Sequence, residues 1–177
     1  MLKKIFAGIV VFNPENNLIN LVDALVSQNA EVFLYINKSN FISEMVVKTR
    51  NVQYIKSKTN DGISISINKI IKEFIKLNYD YLFTFDQDSM IENNYVKSMI
   101  KNFENILSIN KNIVCFSPTI IDDKFENKKS IKKSIFQIKS EGKYKEVKFS
   151  ITSGSLFIKD SFLKVGMMKE ELFIDGV

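Results

Sequence analysis

Apolar residues follow two rhythms along this chain. Ile5 to Val11 form an unbroken, mostly apolar run, the pattern of a parallel strand covered on both faces. Asn13-Pro14 ends it, and Leu18, Leu21, Val22, Leu25 and Val26 then recur at helical spacing. Val32 to Ile36 and Val52 to Ile55 predict a second and a third strand. A polar stretch from Lys56 to Asp61 leads to Gly62, after which Ile63, Ile67, Ile70, Ile71 and Phe74 mark one face of a second helix. Asn78 supplies its stop, because asparagine tolerates the left-handed conformation found beyond helix ends. Tyr81 to Phe85 predicts a fourth strand that gives way abruptly to Asp86-Gln87-Asp88-Ser89. Val96, Met99, Ile100, Phe103 and Leu107 form a third helical stripe, and Ile113 to Phe116 a fifth strand closed by Ser117-Pro118. Such alternation specifies an α/β fold: a mainly parallel, doubly wound sheet with helices on both faces.

Beyond residue 120 the rhythm changes. Residues 122–134 are polar and charged, Ile135 to Ile138 partly alternates, and Val147 to Ile158 reads as extended segments broken at Ser153-Gly154-Ser155. A short helix over Ser161 to Val165 and a turn at Gly166 follow. At 177 residues, with 45% hydrophobic and 25% charged positions, the chain is one domain able to bury a real core. No apolar run approaches the ~20 residues of a membrane span. The basic start and the run to Phe12 faintly imitate a signal peptide but meet no small-residue cleavage site, so the expectation is a cytoplasmic protein.

Charge and chemistry narrow the function. The net charge of +5 suits an anionic ligand or surface, and its excess is local: residues 124–148 hold nine lysines against Glu126, Glu141 and Glu146. A solvated excursion explains them. A sharper reading is peripheral contact with anionic head groups at the inner face of the membrane. No nucleic-acid motif accompanies the lysines, so nucleic acid is not expected as a partner. Cys115 is the lone cysteine, which excludes an intrachain disulfide, and its apolar neighbours suit a buried thiol. The chain contains no histidine. Acid–base work therefore falls to carboxylates.

In open α/β sheets ligands collect at the carboxyl ends of parallel strands. By spacing alone that rim receives Phe12-Asn13 after the first strand, Asn37 to Ser39 after the second, and Asp86-Gln87-Asp88 after the fourth. Two acids flanking one residue can share a hard divalent cation that keeps much of its water and takes phosphate oxygens as further ligands. The plainer alternative is a strand-to-helix turn in which the acids and Ser89 cap the next helix. Neither GxGxxG nor GxxxxGK[ST] occurs, so dinucleotide and P-loop readings lose their main support.

Taken in order, Val10-Val11-Phe12-Asn13-Pro14, Asn60-Asp61-Gly62-Ile63 with Asn68, Asp86-Gln87-Asp88-Ser89, Ser153-Gly154-Ser155, Val165-Gly166 and Leu172-Phe173-Ile174-Asp175 resemble the family 2 glycosyltransferases of GT-A fold. The likeness is strongest to their bacterial rhamnosyltransferase-like branch. It implies a nucleotide-sugar-binding half over 1–120 and the incomplete start of an acceptor-side half over 121–177. It places Phe12 against the nucleotide base, with Asn13, Asn37, Asn60, Gly62 and Asn68 around the donor. Asp86 would approach the ribose or sugar, and Asp88 would hold Mg²⁺ or Mn²⁺ on the diphosphate. Ser153, Gly154 and Ser155 would line the floor on the acceptor side.

Two departures from the family pattern qualify this. An aspartate-asparagine pair usually follows the second strand, the aspartate contacting the base; here the pair is Ile36-Asn37. The family's catalytic base is expected just beyond Val177, which leaves Asp175 as a poor stand-in. The implied reaction is an inverting transfer of a sugar, with rhamnose suggested by the branch, to a glycan or lipid-linked acceptor. Two rivals remain: a truncated or degenerate module that binds without catalysing, and a sugar-nucleotide pyrophosphorylase, which should show a glycine-rich basic loop where Phe12-Asn13-Pro14-Glu15 stands.

Overall fold

The computed structural model describes residues 3–14, 17–38, 52–118, 137–141, 144–147 and 150–172. Its main sheet has the order β3-β2-β1-β4-β7. The strands are β1 (Ile5–Val11), β2 (Ala30–Ile36), β3 (Gln53–Lys56), β4 (Tyr81–Asp86) and β7 (Ser155–Phe157). Strand β1 pairs in parallel with β2 from Ile5↔Ala30 to Val11↔Ile36, and with β4 from Ile5↔Tyr81 to Val10↔Asp86. Strand β3 joins β2 in parallel at the edge, and β7 joins β4 antiparallel. A separate hairpin pairs β5 (Gln137–Glu141) with β6 (Tyr144–Val147).

The alternation of side chains along each strand divides the core in two. Ala7, Ile9, Val11, Val32, Leu34, Ile36, Phe83 and Phe85 face α1 (Asn17–Ser27) and α3 (Tyr95–Ile109), meeting Leu21, Val22, Leu25, Val96 and Phe103. Phe6, Phe33, Tyr35 and Leu82 face α2 (Gly62–Lys76) and α4 (Lys159–Val165), meeting Ile67, Ile70, Ile71, Phe74 and Phe162. Helices therefore cover both faces, as the apolar pattern requires. The second face is strongly aromatic: Phe6 lies 4.9 to 6.3 Å, centroid to centroid, from Phe33, Phe74 and Tyr79. Each fully buried ring contributes ~1.5–3 kcal/mol from burial.

The stop of α2 follows the sequence expectation, and α1 ends in the same way. Asn78 takes φ 56° just past α2, and Asn29 takes φ 62° just past α1. The fifth predicted strand, by contrast, does not form. Residues 113–116 make one antiparallel bridge, Phe116 to Leu156, with N–H···O distances of 3.0 and 2.9 Å. The fifth place in the sheet belongs to β7. The reason is geometric: Gly154 at φ 74° turns the partner chain immediately before β7, and Pro118 has no N–H to extend a ladder. Ile113 and Phe116 still pack on the first core cluster, and Cys115 on the second, but all three are only half-buried. Their apolar pattern therefore reports partial burial rather than pairing, and the thiol is less enclosed than its neighbours suggested.

One contact sets how closely α2 approaches the sheet. A Cβ placed on Gly8 would lie 2.2 Å from Cγ2 of Ile70. We expect Gly8→Ala to cost about 1–3 kcal/mol in urea unfolding, the range of an overpacked core. Adding Ile70→Ala should give a loss smaller than the sum of the two single changes, because the second removes the clashing atoms.

Candidate functional site

Strands β1, β2 and β4 are parallel neighbours, so their carboxyl ends open on the same edge of the sheet. That edge gathers Phe12 and Asn13, Asn37, and Asp86 to Ser89. Phe12 is 44% exposed although it follows a fully buried Val11, and Asn13 takes the left-handed region at φ 48°. Asp86 and Asp88 are exposed. A turn closed by Ser89 N–H donating to the Asp86 carbonyl at 3.2 Å carries them. Helix α3 starts only at Tyr95, with Asn94 before it, so neither acid nor Ser89 caps that helix. Asp86 also lines a crevice between the sheet and the start of α2, with Gly8, Val10, Thr84, Ile63, Ile67 and Thr152.

Side-chain and backbone latches hold this edge together. The Gln87 amide faces the main chain of Phe12: Phe12 N–H donates to Oε1 at 2.8 Å, and Nε2 donates to the Phe12 carbonyl at 2.9 Å. Ser153 Oγ accepts from Asp86 N–H at 3.1 Å and lies 2.6 Å from Ser89 Oγ. Thr84 Oγ1 donates to the Thr152 carbonyl at 2.6 Å, and Gly154 N–H donates to the Thr84 carbonyl at 2.7 Å. Ser153 thus reaches the acidic turn. Gly154 and Ser155 are used inside: Tyr95 Oη donates to the Gly154 carbonyl, and buried Ser155 Oγ donates to the Ile151 carbonyl, both at 2.6 Å. Burial pushes the Tyr95 phenol above its usual range, which keeps it a donor.

At the β2 end, Asn37 is buried and its amide is engaged on both sides. Nδ2 donates to Ser66 Oγ at 3.0 Å, and Oδ1 accepts from Asp61 N–H at 3.1 Å. Asp61 in turn accepts from Tyr35 Oη at 2.6 Å and from Thr59 Oγ1. The Thr59 hydroxyl, then that of Tyr35, hold the Asp61 carboxyl below its usual range, while burial and this carboxylate push the Tyr35 phenol up to about 12. Asn60 Oδ1 accepts from Gly62 N–H at 3.2 Å, and Gly62 takes φ 74° where α2 begins.

Asn68 makes none of these contacts. Its buried amide grips the segment after α4: Met168 N–H donates to Oδ1, and Nδ2 donates to the Met168 carbonyl, both at 2.9 Å. Nδ2 also reaches Glu170 at 3.1 Å. Asp175 lies outside the described residues. Sequence reasoning missed Gln87, Asp61 and Tyr95. The first two stood inside quoted motifs, but their partners are 75 and 26 residues away, and no local pattern reports such pairs.

The metal reading is compatible with the donor set. Asp86 and Asp88 are hard oxygen donors at an exposed turn, and a small divalent cation needs only one or two protein carboxylates when water and phosphate complete its shell. Among the described residues no group of three or more acidic, histidine or cysteine side chains exists to form an all-protein cage.

The Asp61 contacts predict a pH signature. Its folded-state pKa lies below the unfolded value, so its stabilisation is present above ~3.9 and lost as pH falls through the lowered value. In carboxylate NMR titrations, Thr59→Val and Tyr35→Phe should each raise the Asp61 pKa, Thr59→Val by more. An Asp61 pKa indifferent to both substitutions would exclude these hydrogen bonds as the cause.

Comparison with known proteins bears on the family and the fold. Residues 7–166 match the family described as Glycosyl transferase family 2. The curated dTDP-rhamnosyl transferase RfbF of Shigella flexneri is 32% identical over 187 aligned positions, covering 100% of this chain and 61% of the relative. Among solved structures, residues 1–349 of S. aureus TarS superpose with a TM-score of 0.67 at 14% identity, covering 96% of this chain and 51% of that one. The same protein in complex with UDP gives 0.64 at 12% identity, again covering 96% and 51%. This chain therefore spans less than two thirds of the length of these relatives, and at such identities the TarS likeness bears on the GT-A-like fold alone. The match over 160 consecutive residues decides the family: this chain belongs to glycosyl transferase family 2.

Proposed function

We propose that this chain carries the donor site of an inverting, metal-dependent glycosyltransferase that moves rhamnose from a deoxythymidine diphosphate donor to a hydroxyl of a glycan or lipid-linked acceptor. One observation carries the reading: an exposed aromatic ring, Phe12, and an exposed acidic pair, Asp86 and Asp88, stand on one rim of parallel strand ends. A nucleotide diphosphate has an apolar base at one end and anionic oxygens at the other. The dTDP-rhamnosyl name of the Shigella relative supports the donor.

In this reading the Phe12 ring meets the base. Asn13, Asn37, Asn60 and Gly62 shape the surrounding loops, Asn37 through its hold on Asp61. Asn68 serves the donor side indirectly, by fixing the segment at Met168 against α2. Asp86 approaches the ribose or sugar, and Asp88 with Asp86 would hold Mg²⁺ or Mn²⁺. Such a cation, when bound, neutralises the departing diphosphate. Ser153, Gly154 and Ser155 form the floor on the acceptor side. The acceptor hydroxyl loses its proton to a carboxylate and attacks the anomeric carbon opposite the nucleotide, which inverts that centre. The sugar gains positive character in the transition state, as in glycoside hydrolysis, and the acidic turn is suited to stabilise it. The lysine-rich segment 124–148, mostly outside the described residues, would meet anionic head groups if the acceptor is lipid-linked.

Calorimetric titration with thymidine diphosphate and Mn²⁺ tests the site. Asp88→Ala should weaken metal-dependent binding by ~10-fold or more, as expected for loss of a charged ligand. Equal affinity of the two proteins, with and without Mn²⁺, would overturn the assignment. Release of thymidine diphosphate from its rhamnose conjugate in the presence of acceptor then tests transfer itself.

A further inference from the structure

The ladder between β1 and β4 ends at Val10↔Asp86, because the turn from Asp86 to Ser89 carries β4 out of the sheet. Strand β1 runs on. On its other edge the pairing continues, with Asn37 N–H donating to the Val11 carbonyl at 2.8 Å. The N–H and C=O of Phe12 point to the opposite edge, where β4 has no backbone left to offer. The Gln87 amide takes both, at 2.8 and 2.9 Å, and so supplies from a side chain the rung that the turn removed.

We infer that Gln87 is a positioning residue that locks the loop after β1 to the acidic turn after β4, so that Phe12 and the two aspartates move as one body. Three features support this. Gln87 sits between Asp86 and Asp88, so any motion of its backbone moves both acids. The paired peptide belongs to Phe12, whose ring is exposed, and the next residue, Asn13, takes φ 48°, so the chain turns directly after that peptide. A primary amide alone among side chains offers one donor and one acceptor in the geometry of a peptide. Glutamate keeps only the acceptor, and methionine of similar size keeps neither.

The consequence for ligand binding rests on the donor reading above. A ligand spanning both halves gains from their fixed separation, because binding at one end presents the other end at high effective concentration. A fragment touching one half gains nothing. Removing the latch should therefore weaken the whole ligand and leave its pieces nearly unaffected, which a general loss of folding would not do.

Two measurements test this, the first without ligand. Amide hydrogen exchange followed by NMR should show Phe12 exchanging at least ~10-fold faster in Gln87→Met than in the wild type, with Gln87→Glu between them and the interior β1 amides of Ala7 and Ile9 unchanged. An unchanged Phe12 rate, or acceleration of all β1 amides together, would overturn the latch. The second compares thymidine diphosphate with Mn²⁺, thymidine alone, and Mn²⁺ pyrophosphate. Gln87→Met should weaken the first by ~10-fold and the other two by less than ~2-fold. Equal losses for whole and pieces would overturn the positioning role. If the wild type binds no thymidine diphosphate while the exchange result holds, the donor reading falls and the latch stands.

Discussion

The parallel pairing of β1 with both β2 and β4 is the constraint on which the rest depends. Parallel neighbours require crossovers, and the crossovers here are α1, which leads into β2, and α2, which leads into β4. With β1 shielded on both edges by strands and on both faces by helices, its side chains must be apolar or absent. Gly8 is the limiting case, since Ile70 of α2 fills the volume a side chain would need. The same geometry forces three strands to end together. Everything polar that follows them is delivered to one rim.

What the strands deliver, hydrogen bonds then hold in place. The rim is assembled from loops that are distant in sequence, and each junction is made by a small amide or hydroxyl side chain. Gln87 ties β1 to the acidic turn, Ser153 ties that turn to the segment before β7, and Asn37 ties β2 to the entry of α2. Asn68 repeats the device where α2 meets the segment after α4, gripping both polar groups of Met168 as Gln87 grips those of Phe12. Such bonds individually contribute only ~0.5–1.5 kcal/mol, so their value lies more in placing atoms than in stability. Among the described residues no buried side-chain nitrogen or oxygen lacks a partner, which is what a closed set of latches requires.

The β2 end shows how a departure from the family pattern is accommodated. Ile36 stands where the family usually places an aspartate, and it is fully buried in the first core cluster. The neighbouring carboxylate on this side of the sheet is Asp61, brought in by Asn37 and braced by Thr59 and Tyr35. Its lowered pKa keeps it ionised through the neutral range. That arrangement could not be read along the chain, because Asp61 sits in a loop whose polarity looks ordinary.

The sequence alone was enough for the strands β1 to β4, the three long helices, the two-faced core and the rim where Phe12, Asp86 and Asp88 gather. These depend on burial periodicity and on the rule that parallel strands share a carboxyl edge, and both are local or topological. The motif order was also enough to suggest the family. Tertiary structure decided what periodicity cannot encode. Residues 113–116 look like a strand because they are apolar and half-buried against the core, yet whether such a segment pairs depends on where its neighbour turns, and Gly154 and Pro118 leave it a single bridge. The partners of Gln87, Asn37 and Asn68 were likewise settled only in three dimensions. A side-chain amide bonds whatever peptide the fold brings within about 3 Å, and chains separated by 75 or 100 residues carry no local trace of that meeting.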